Sequence, residues 1–251
     1  MIALVTGASA GFGEAMARRF VAGGYRVIAV ARRIERLDKL RAELGTALLP
    51  VAMDVTNPAS ITQGLTDLPA DWQTVDVLIN NAGLALGTEP APHCSLAEWT
   101  TMIDTNIKGL VTVTHALLHG MVARNSGLII NLGSIAGNTP YPGGNVYGAS
   151  KAFVEQFTRN LRADLVGTGV RATNIAPGLC GGTEFSNVRY RGDDAAAAKV
   201  YAGTVPLTAR DIAETAYWIA ALPPHINVNQ IELMPTCQGY GSLAIQRSGT
   251  A

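Results

Sequence analysis

The sequence predicts one α/β domain in which helices cover both faces of a doubly wound parallel sheet. Its 251 residues are 48% hydrophobic and 15% charged, which is enough apolar material for a single substantial core. Short apolar runs alternate with longer amphipathic stretches, a pattern typical of strands joined by right-handed helical crossovers. No linker, repeat or low-complexity tract interrupts this alternation, so we expect a single domain over residues 1–251.

Seven runs are typical of strands, and most of them are apolar throughout, as expected when helices cover both faces of the sheet. They span residues 2–5, 26–30, 48–53, 75–79, 128–132, 170–175 and 230–234. Amphipathic periodicity predicts helices over residues 13–22, 34–44, 97–124 and 147–166. Residues 177–207 interrupt the alternation and are rich in glycine and polar side chains, so we expect them to form a lid over a site.

Composition excludes several classes of partner. Nineteen basic residues balance nineteen acidic ones, which gives no general attraction to nucleic acid or to a membrane surface. Apolar runs stay short of the roughly 18 residues that a membrane helix needs, and no secretory signal is visible. Cys94, Cys180 and Cys237 are odd in number and widely scattered, which favours reduced thiols over disulfides or a metal site. We therefore expect a soluble cytoplasmic protein that binds no metal.

A glycine-rich turn follows the first strand and opens the first helix. Glycines in such a turn let the backbone approach a pyrophosphate, which then rests on the positive N-terminus of the helix. The spacing is Gly-x-x-x-Gly-x-Gly rather than the more common Gly-x-Gly-x-x-Gly, and a turn that only needs positive φ is the alternative. The strand before and the helix after favour a Rossmann-like dinucleotide site. Its candidate contacts are Gly7, Ser9, Ala10, Gly11, Phe12 and Gly13.

The end of the second strand indicates which dinucleotide binds. An NAD site usually carries an acidic residue there for the ribose 2′-hydroxyl, whereas arginine accommodates the 2′-phosphate of NADP. This strand ends in Arg32 and Arg33 with no acidic residue nearby, and two guanidinium groups suit a phosphate dianion. The alternative is a solvated pair of arginines. We expect NADP.

A tyrosine and a lysine stand four residues apart at the start of a helical pattern. Tyr147 and Lys151 would therefore lie on one face of the helix, one turn apart. A free phenol has a pKa of about 10, and a neighbouring ammonium group lowers it, so the pair can serve as general acid and base for a hydroxyl group. Ser134 follows an apolar strand, at the edge where such sheets carry their sites, and could orient a substrate oxygen.

Taken together, these residues resemble the classical short-chain dehydrogenase/reductase family along nearly the full chain. The resemblance rests on residues 6–13, on the Asn-Asn-Ala-Gly motif at 80–83, on Asn106, on Ser134, Tyr147 and Lys151, and on Pro177-Gly178. It implies an oxidoreductase that interconverts a hydroxyl group and a carbonyl, with the Asn-Asn-Ala-Gly motif stabilising the sheet.

The resemblance also implies roles for individual residues. Tyr147 exchanges the hydroxyl proton, and Ser134 stabilises the substrate oxygen. Lys151 binds the nicotinamide ribose and lowers the pKa of Tyr147, while Asn106 holds a water molecule in a proton relay. Further cofactor contacts are implied at Asp54, Val55, Asn81, Ala82, Gly83, Pro177, Gly178 and Thr183. Thr183 lies one residue further from Pro177-Gly178 than in the common pattern.

A narrower likeness concerns the substrate. Residues 11–14, 143–148 and 181–189 resemble the NADP-dependent 3-hydroxy acid dehydrogenases, which oxidise serine, allo-threonine and 3-hydroxypropionate and reduce malonic semialdehyde. Relatives that reduce sulfoacetaldehyde to isethionate are similar too. Both kinds of substrate carry an anion close to the reacting carbon, so a cation of the lid should bind it. Arg189 and Arg191 are the two candidates, and our hypothesis is that Arg189 is the anchor; a solvated lid charge is the alternative.

Three further matters stay open at this point. A broad reductase for neutral ketones is a second possible enzyme, and a cofactor-sensing regulator is a possibility from another class, although the complete catalytic set disfavours it. The family resemblance implies that the helices at 97–124 and 147–166 pack across a two-fold axis into a homotetramer. The C-terminal residues 239–251 show little pattern.

Overall fold

A computed structural model describes residues 1–241, which form one seven-stranded parallel sheet with helices on both faces. The strands are β1 (Ile2–Thr6), β2 (Arg26–Ala31), β3 (Leu48–Ala52), β4 (Val77–Asn80), β5 (Gly127–Leu132), β6 (Val170–Pro177) and β7 (Gln230–Leu233). They lie in the order β3-β2-β1-β4-β5-β6-β7, so the predicted doubly wound sheet is confirmed.

The strand order has a reversal that locates the site. The chain runs outward from β1 to β3 and then returns to place β4 on the other side of β1. Connections on the two sides of this reversal leave a crevice beyond the carboxyl ends of β1 and β4, where open α/β sheets bind their ligands. All five residues of β1 are buried, which accounts for its unbroken apolar sequence.

The helices surround this sheet. They are α1 (Gly11–Ala22), α2 (Ile34–Leu44), α3 (Pro58–Thr66), α4 (Leu96–Ile103), α5 (Leu110–Ala123), α6 (Asn145–Asp164), α7 (Phe185–Arg189), α8 (Asp194–Lys199) and α9 (Ala209–Ala221). The stretch expected as one helix over residues 97–124 consists of α4, a π-helical segment at Asp104–Gly109, and α5. A π-helical turn inside an α-helix often marks a functional position, and this one contains Asn106.

Several elements differ from the sequence-based expectation. The helices α3 and α9 were not predicted, although each has a capping side chain: Asn57 caps α3, and Thr208 forms a capping box with Asp211 in α9. The segment 177–207 is less irregular than expected, because it contains the short helices α7 and α8. Strand bounds shift by up to two residues; β4, for example, begins at Val77 instead of residue 75.

The core consists of two main layers, one on each side of the sheet. Phe20 and Leu37 from helices α1 and α2 belong to the first layer, and Leu78 and Met121 belong to the second. Phe20 is fully buried and meets Tyr25 and Tyr217 edge to face, with ring centroids 5.0 and 5.7 Å apart. This aromatic cluster ties α9 to α1 and so closes the first layer.

Across residues 1–241, no helix combines the length and the apolar character needed to cross a bilayer. Over that range, no three His, Cys, Asp or Glu side chains are grouped in a way that could hold a metal ion. All three cysteine thiols are free. The C-terminal segment 239–251, in which the sequence shows little pattern, lies largely outside the described residues, which end at residue 241.

The aromatic cluster gives a test of this packing. We expect Phe20→Ala to lower the free energy of unfolding by about 3–5 kcal/mol, because it leaves a cavity in a fully buried layer. Urea denaturation followed by circular dichroism measures the change. The matched control is Leu96→Ala, since Leu96 is 76% exposed and its truncation should change the free energy by less than about 0.5 kcal/mol. Equal effects of the two substitutions would contradict the proposed packing.

Candidate active site

A large cavity of about 1160 Å³ opens at the carboxyl edge of the sheet. It is long enough to extend from the end of β2, past the glycine turn, to the lid, and it exceeds the volume that a small substrate alone would need. Most of the predicted site residues line it: Gly7, Ser9, Ala10, Gly11, Phe12, Arg32, Arg33, Asp54, Val55, Asn81, Ala82, Gly83, Ser134, Tyr147, Lys151, Pro177, Gly178, Thr183 and Arg189. The structure therefore brings together residues from both halves of the chain.

The glycine turn has the conformation of a phosphate cradle. Gly7 and Gly11 have φ values of +67° and +56°, which non-glycine side chains rarely adopt. Gly13 does not line the cavity; a Cβ at this position would lie 2.2 Å from the Gly7 carbonyl oxygen. Its role is thus to let α1 approach the turn closely, which aims the helix N-terminus at the cavity.

The Asn-Asn-Ala-Gly motif holds this turn against the next strand. Asn81 Nδ2 donates to the Thr6 carbonyl oxygen over 2.9 Å, and the Thr6 hydroxyl accepts from the backbone N–H groups of Asn81 and Ala82. The neighbouring Asn80 Nδ2 donates to Thr114 and Asn131 within the core. The sheet-stabilising role implied for this motif agrees with these contacts.

Arginines stand where the sequence predicted the 2′-phosphate. Arg33 Nε and Nη2 lie 3.4 and 3.3 Å from the Ser9 hydroxyl, so this guanidinium connects the end of β2 with the glycine turn. Arg32 lines the same part of the cavity, and Asp54 and Val55 form the wall beside it. The glycine cradle, the helix N-terminus and the two arginines fit a phosphorylated dinucleotide.

The proposed proton-transfer residues converge at the other end of the cavity. Tyr147 and Lys151 lie one turn apart in α6, and Lys151 Nζ donates to the Leu132 carbonyl oxygen over 2.7 Å. Ser134 lies two residues after Leu132. Its hydroxyl accepts a hydrogen bond from Ala136 N–H and lies 3.5 Å from the Pro177 carbonyl oxygen. The arrangement places a phenol, a hydroxyl and an amine around one small space.

Asn106 lies behind this group and does not line the cavity. Its side-chain nitrogen donates to the Leu84 carbonyl oxygen and to the Ser150 hydroxyl, at 2.9 and 3.0 Å, and its oxygen accepts from Leu84 N–H. Ser150 in turn precedes Lys151. Asn106 therefore links the π-helical segment with α6, while the water-holding role that the resemblance implies stays a prediction.

Burial changes the acidities of the two main groups. It lowers the pKa of Lys151 to about 8 and raises the pKa of Tyr147 to about 12; for Tyr147 a hydrogen bond with Ser134 opposes the rise without cancelling it. Lys151 is not among the groups that shift the Tyr147 pKa in this arrangement, so the expectation that Lys151 lowers it stays a prediction. The Lys151 amine lies 5.9 Å from the centre of the Tyr147 ring and is bonded to a backbone carbonyl.

The two lid arginines have different surroundings. Arg189 Nε and Nη2 donate to the carbonyl oxygens of Gly87 and Gly143, each over 3.2 Å, and its guanidinium carbon lies 5.9 Å from the centre of the Tyr147 ring. Arg191 instead pairs with the carboxylates of Glu89 and Glu98 at 2.7 Å. Of the two candidates, the structure brings only Arg189 to the cavity.

Glu184, which lines the cavity, and Arg36, which contacts Glu184, were not selected in the sequence analysis. Glu184 in the lid accepts hydrogen bonds from Arg33 and from Arg36, at 2.9 and 2.7 Å. Glu184 lies about 150 residues from both arginines in the chain, and no local sequence pattern marks such a pairing. Thr183 beside it lies against the glycine turn, since a Cβ on Gly11 would be 3.3 Å from the Thr183 Cβ.

The lowered pKa of Lys151 gives a test by pH. In the unfolded chain Lys151 keeps its proton up to about pH 10.5, whereas the buried amine loses it at about 8. The unfolded state thus binds more protons between these values, so this group makes stability rise with pH there, by about 3 kcal/mol in total. We expect the stability difference between Lys151→Met and the unaltered protein to change by that amount between pH 7.5 and 10.5.

Urea denaturation at each pH measures this difference. Lys108→Met is the matched control because the Lys108 side chain is 68% exposed, and its stability should follow that of the unaltered protein at every pH. If the free energy of unfolding of Lys151→Met changes with pH in parallel with that of the unaltered protein, the Lys151 pKa is not lowered.

Comparisons with known proteins agree with this geometry. Residues 1–193 match the short chain dehydrogenase family. The NADP-dependent 3-hydroxy acid dehydrogenase YdfG of Salmonella typhi is 58% identical over 248 residues, which are 99% of this chain and all of the relative. The serine 3-dehydrogenase of Agrobacterium fabrum is 50% identical, with 97% of each chain covered. The solved closed form of serine dehydrogenase complexed with NADP+ is 58% identical and superposes with a TM-score of 0.98, covering 99% of this chain and 100% of that one. This chain belongs to the short-chain dehydrogenase family.

Proposed function

We propose that the protein is an NADP-dependent oxidoreductase that transfers a hydride between the nicotinamide and a small 3-hydroxy acid such as serine, allo-threonine or 3-hydroxypropionate, or the corresponding semialdehyde. The observation that carries this proposal is the position of Arg189. Its guanidinium faces Tyr147 and hydrogen-bonds neutral backbone carbonyls, so its positive charge is available to a substrate anion.

The relatives support the same substrate class. Those with 58% and 50% identity are named for 3-hydroxy acids and for serine, and they match nearly the whole chain. A carboxylate on Arg189 would place the 3-hydroxyl group near Tyr147, because only two carbons separate the carboxylate carbon from that oxygen. A neutral ketone would leave the arginine without an anionic partner, so the broad carbonyl reductase is the weaker alternative.

The cofactor proposal rests on the arginines at the end of β2. Arg33 bridges from β2 to Ser9 in the glycine turn, and Arg32 lines the adjoining wall. Arginine presents a planar fork of donors that suits the 2′-phosphate of NADP. The solved relative that contains NADP+ has the same backbone course, which supports this choice over NAD.

In the proposed reaction, bound NADP supplies the nicotinamide that accepts or returns the hydride. Tyr147 takes the proton of the substrate hydroxyl as a general base, or returns it as a general acid. Ser134 hydrogen-bonds the same oxygen and orients it. Burial raises the pKa of Tyr147 to about 12 even though the Arg189 charge lowers it, so the positive charge of Lys151 has to stabilise the phenolate during proton transfer.

Lys151 and Asn106 complete this proton path. The pKa of Lys151 near 8 lets the amine exchange protons at neutral pH, and Ser150 connects its helix to Asn106. Asn106 thus acts as a positioning residue for α6. It also holds the water molecule of the proposed proton relay.

Residues 177–207 act as the lid in this proposal, since Thr183, Glu184 and Arg189 from this segment all reach the cavity. Homotetramer formation is supported by the partly exposed Ile103, Val122 and Phe153 on α4, α5 and α6, where the two-fold contact is expected. We further propose a cytoplasmic protein.

Isethionate carries a sulfonate in place of the carboxylate, and a sulfoacetaldehyde reductase is the second candidate because Arg189 suits either anion.

The anchor role can be tested by substitution. Arg189→Ala should raise the KM of a 3-hydroxy acid about 10- to 100-fold, the cost of removing one charge-assisted contact, and should leave the KM of a neutral secondary alcohol nearly unchanged. NADP+ reduction followed by absorbance measures both. Arg41→Ala is the matched control: Arg41 is an exposed arginine in the last turn of α2, so its removal should leave both KM values unchanged. An equal rise in KM for the anionic and the neutral substrate would refute the anchor role.

A further inference from the structure

Glu184 joins the lid to the cofactor end of the cavity. Each of its carboxylate oxygens has its own arginine: Oε2 accepts from Arg33 Nη2 over 2.9 Å, and Oε1 accepts from Arg36 Nη1 over 2.7 Å. The two arginines hold the pKa of this carboxyl below its usual value, so it is charged at neutral pH. Both arginines lie at the start of α2, opposite the lid across the cavity mouth.

Glu184 is also placed so that its position affects the substrate end. It immediately precedes α7, whose five residues end at Arg189. Helix α7 is too short to bend, so a contact that fixes its N-terminal end at Glu184 also fixes the position of Arg189 at its C-terminal end. The lid is otherwise tied near this helix by Arg189 itself and by the Arg191 pair with Glu89 and Glu98. The carboxylate of Glu184 is therefore the ionic tie at the cofactor end of α7.

We propose that Glu184 is a positioning residue that fastens the closed lid to Arg33 and Arg36, and thereby holds Arg189 in place for the substrate anion. This inference rests on the proposed function only where it concerns the substrate; the fastening of the lid stands apart from it. The role of Arg36, which the sequence analysis did not select, is to hold the Glu184 carboxylate.

The charges explain why two arginines are used. Arg33 is shared, since it also bonds Ser9 and lines the part of the cavity expected to receive the 2′-phosphate. When Arg33 turns toward a phosphate, Arg36 still holds the other oxygen of Glu184. The side chains of Glu184, Arg33 and Arg36 are each between 42 and 45% exposed, so salt screens the contact and its strength is moderate. Moderate strength suits a lid that must open in each cycle.

The test compares Glu184→Gln, Arg36→Gln and the double variant. We expect Glu184→Gln to raise the rate of tryptic cleavage in the lid, after Arg189, Arg191 or Lys199, by about 3- to 10-fold, as for the loss of two exposed ion pairs. The KM of a 3-hydroxy acid should rise by a similar factor, with kcat equal or higher because the lid opens more easily. Arg36→Gln should have a smaller effect of the same kind, and the double variant should resemble Glu184→Gln because the two residues share one interaction.

A salt series separates fastening from a general loss of structure. Adding 0.5 M NaCl should speed cleavage of the unaltered lid toward that of Glu184→Gln at the same salt, because salt screens an exposed ion pair. Glu43→Gln is the matched control: Glu43 pairs with Arg18 on an exposed surface away from the lid, so its removal should change neither cleavage nor KM.

Two results would overturn the proposal. The first is a folded Glu184→Gln protein whose lid is cleaved at the unaltered rate and whose KM is unchanged. The second is full additivity of Glu184→Gln and Arg36→Gln, which would show that the two side chains act separately. Cleavage is measured without any substrate, so an enzyme that failed to oxidise 3-hydroxy acids would refute the proposed function while the cleavage result still decided the role of Glu184.

Discussion

The hydrogen bond from the Lys151 amine to the Leu132 carbonyl oxygen is the contact on which the arrangement of the site depends. Leu132 is the last residue of a buried strand, and Lys151 is itself buried, so the amine is held where water cannot replace its partner. The bond fixes α6 against the carboxyl edge of the sheet. Tyr147, one turn earlier, then faces the cavity, and Ser134, two residues beyond Leu132, lies opposite the phenol.

The same constraint extends through polar contacts inside the core. Asn80 and Asn131 are aligned on neighbouring strands, and Asn131 donates to Thr158 in α6. These bonds satisfy the Asn131 amide and the side-chain nitrogen of Asn80, and they also set the height of α6 above the sheet. On the other side, Ser150 is bonded to Asn106 in the π-helical segment. The catalytic helix is thus positioned from three directions, which explains how residues far apart in the chain can form one precise site.

The sequence allowed the sheet, its doubly wound form and most of the site to be predicted, because these depend on local patterns. Apolar runs marked the buried strands, and Gly7, Gly11 and Gly13 marked a turn that requires glycine. Helix α3 escaped prediction because its nine residues bury only Ile61 and Gly64, so its main signal is the Asn57 cap. Helix α9 was missed although its buried residues recur at helical spacing and Thr208 marks its start. The rise in the Tyr147 pKa could not be read from the sequence, because its largest cause is burial, and burial is a property of the folded chain.

Contacts across long stretches of chain were the least predictable part. Glu184 meets Arg33 and Arg36 only after folding, and no spacing rule connects them. Arg189 and Arg191 are two residues apart and equivalent by sequence, yet they diverge because α7 ends at Arg189 and the chain then turns through Arg191 with a φ of +54°. This turn sends one guanidinium toward Tyr147 and the other toward two surface carboxylates. The position of the proposed substrate anchor thus depends on where a short helix ends.

The most direct measurement of the central claim is the initial rate of the unaltered enzyme with NADP+ or NAD+ and five alcohols: serine, allo-threonine, 3-hydroxypropionate, isethionate and a neutral secondary alcohol. Our account predicts the highest kcat/KM for the carboxylates with NADP+, and much lower values with NAD+ or with the neutral alcohol, because each of these lacks an anion for Arg33 or Arg189. A preference for isethionate would keep the anchor and change the anion. Equal or higher kcat/KM for the neutral alcohol would contradict the account.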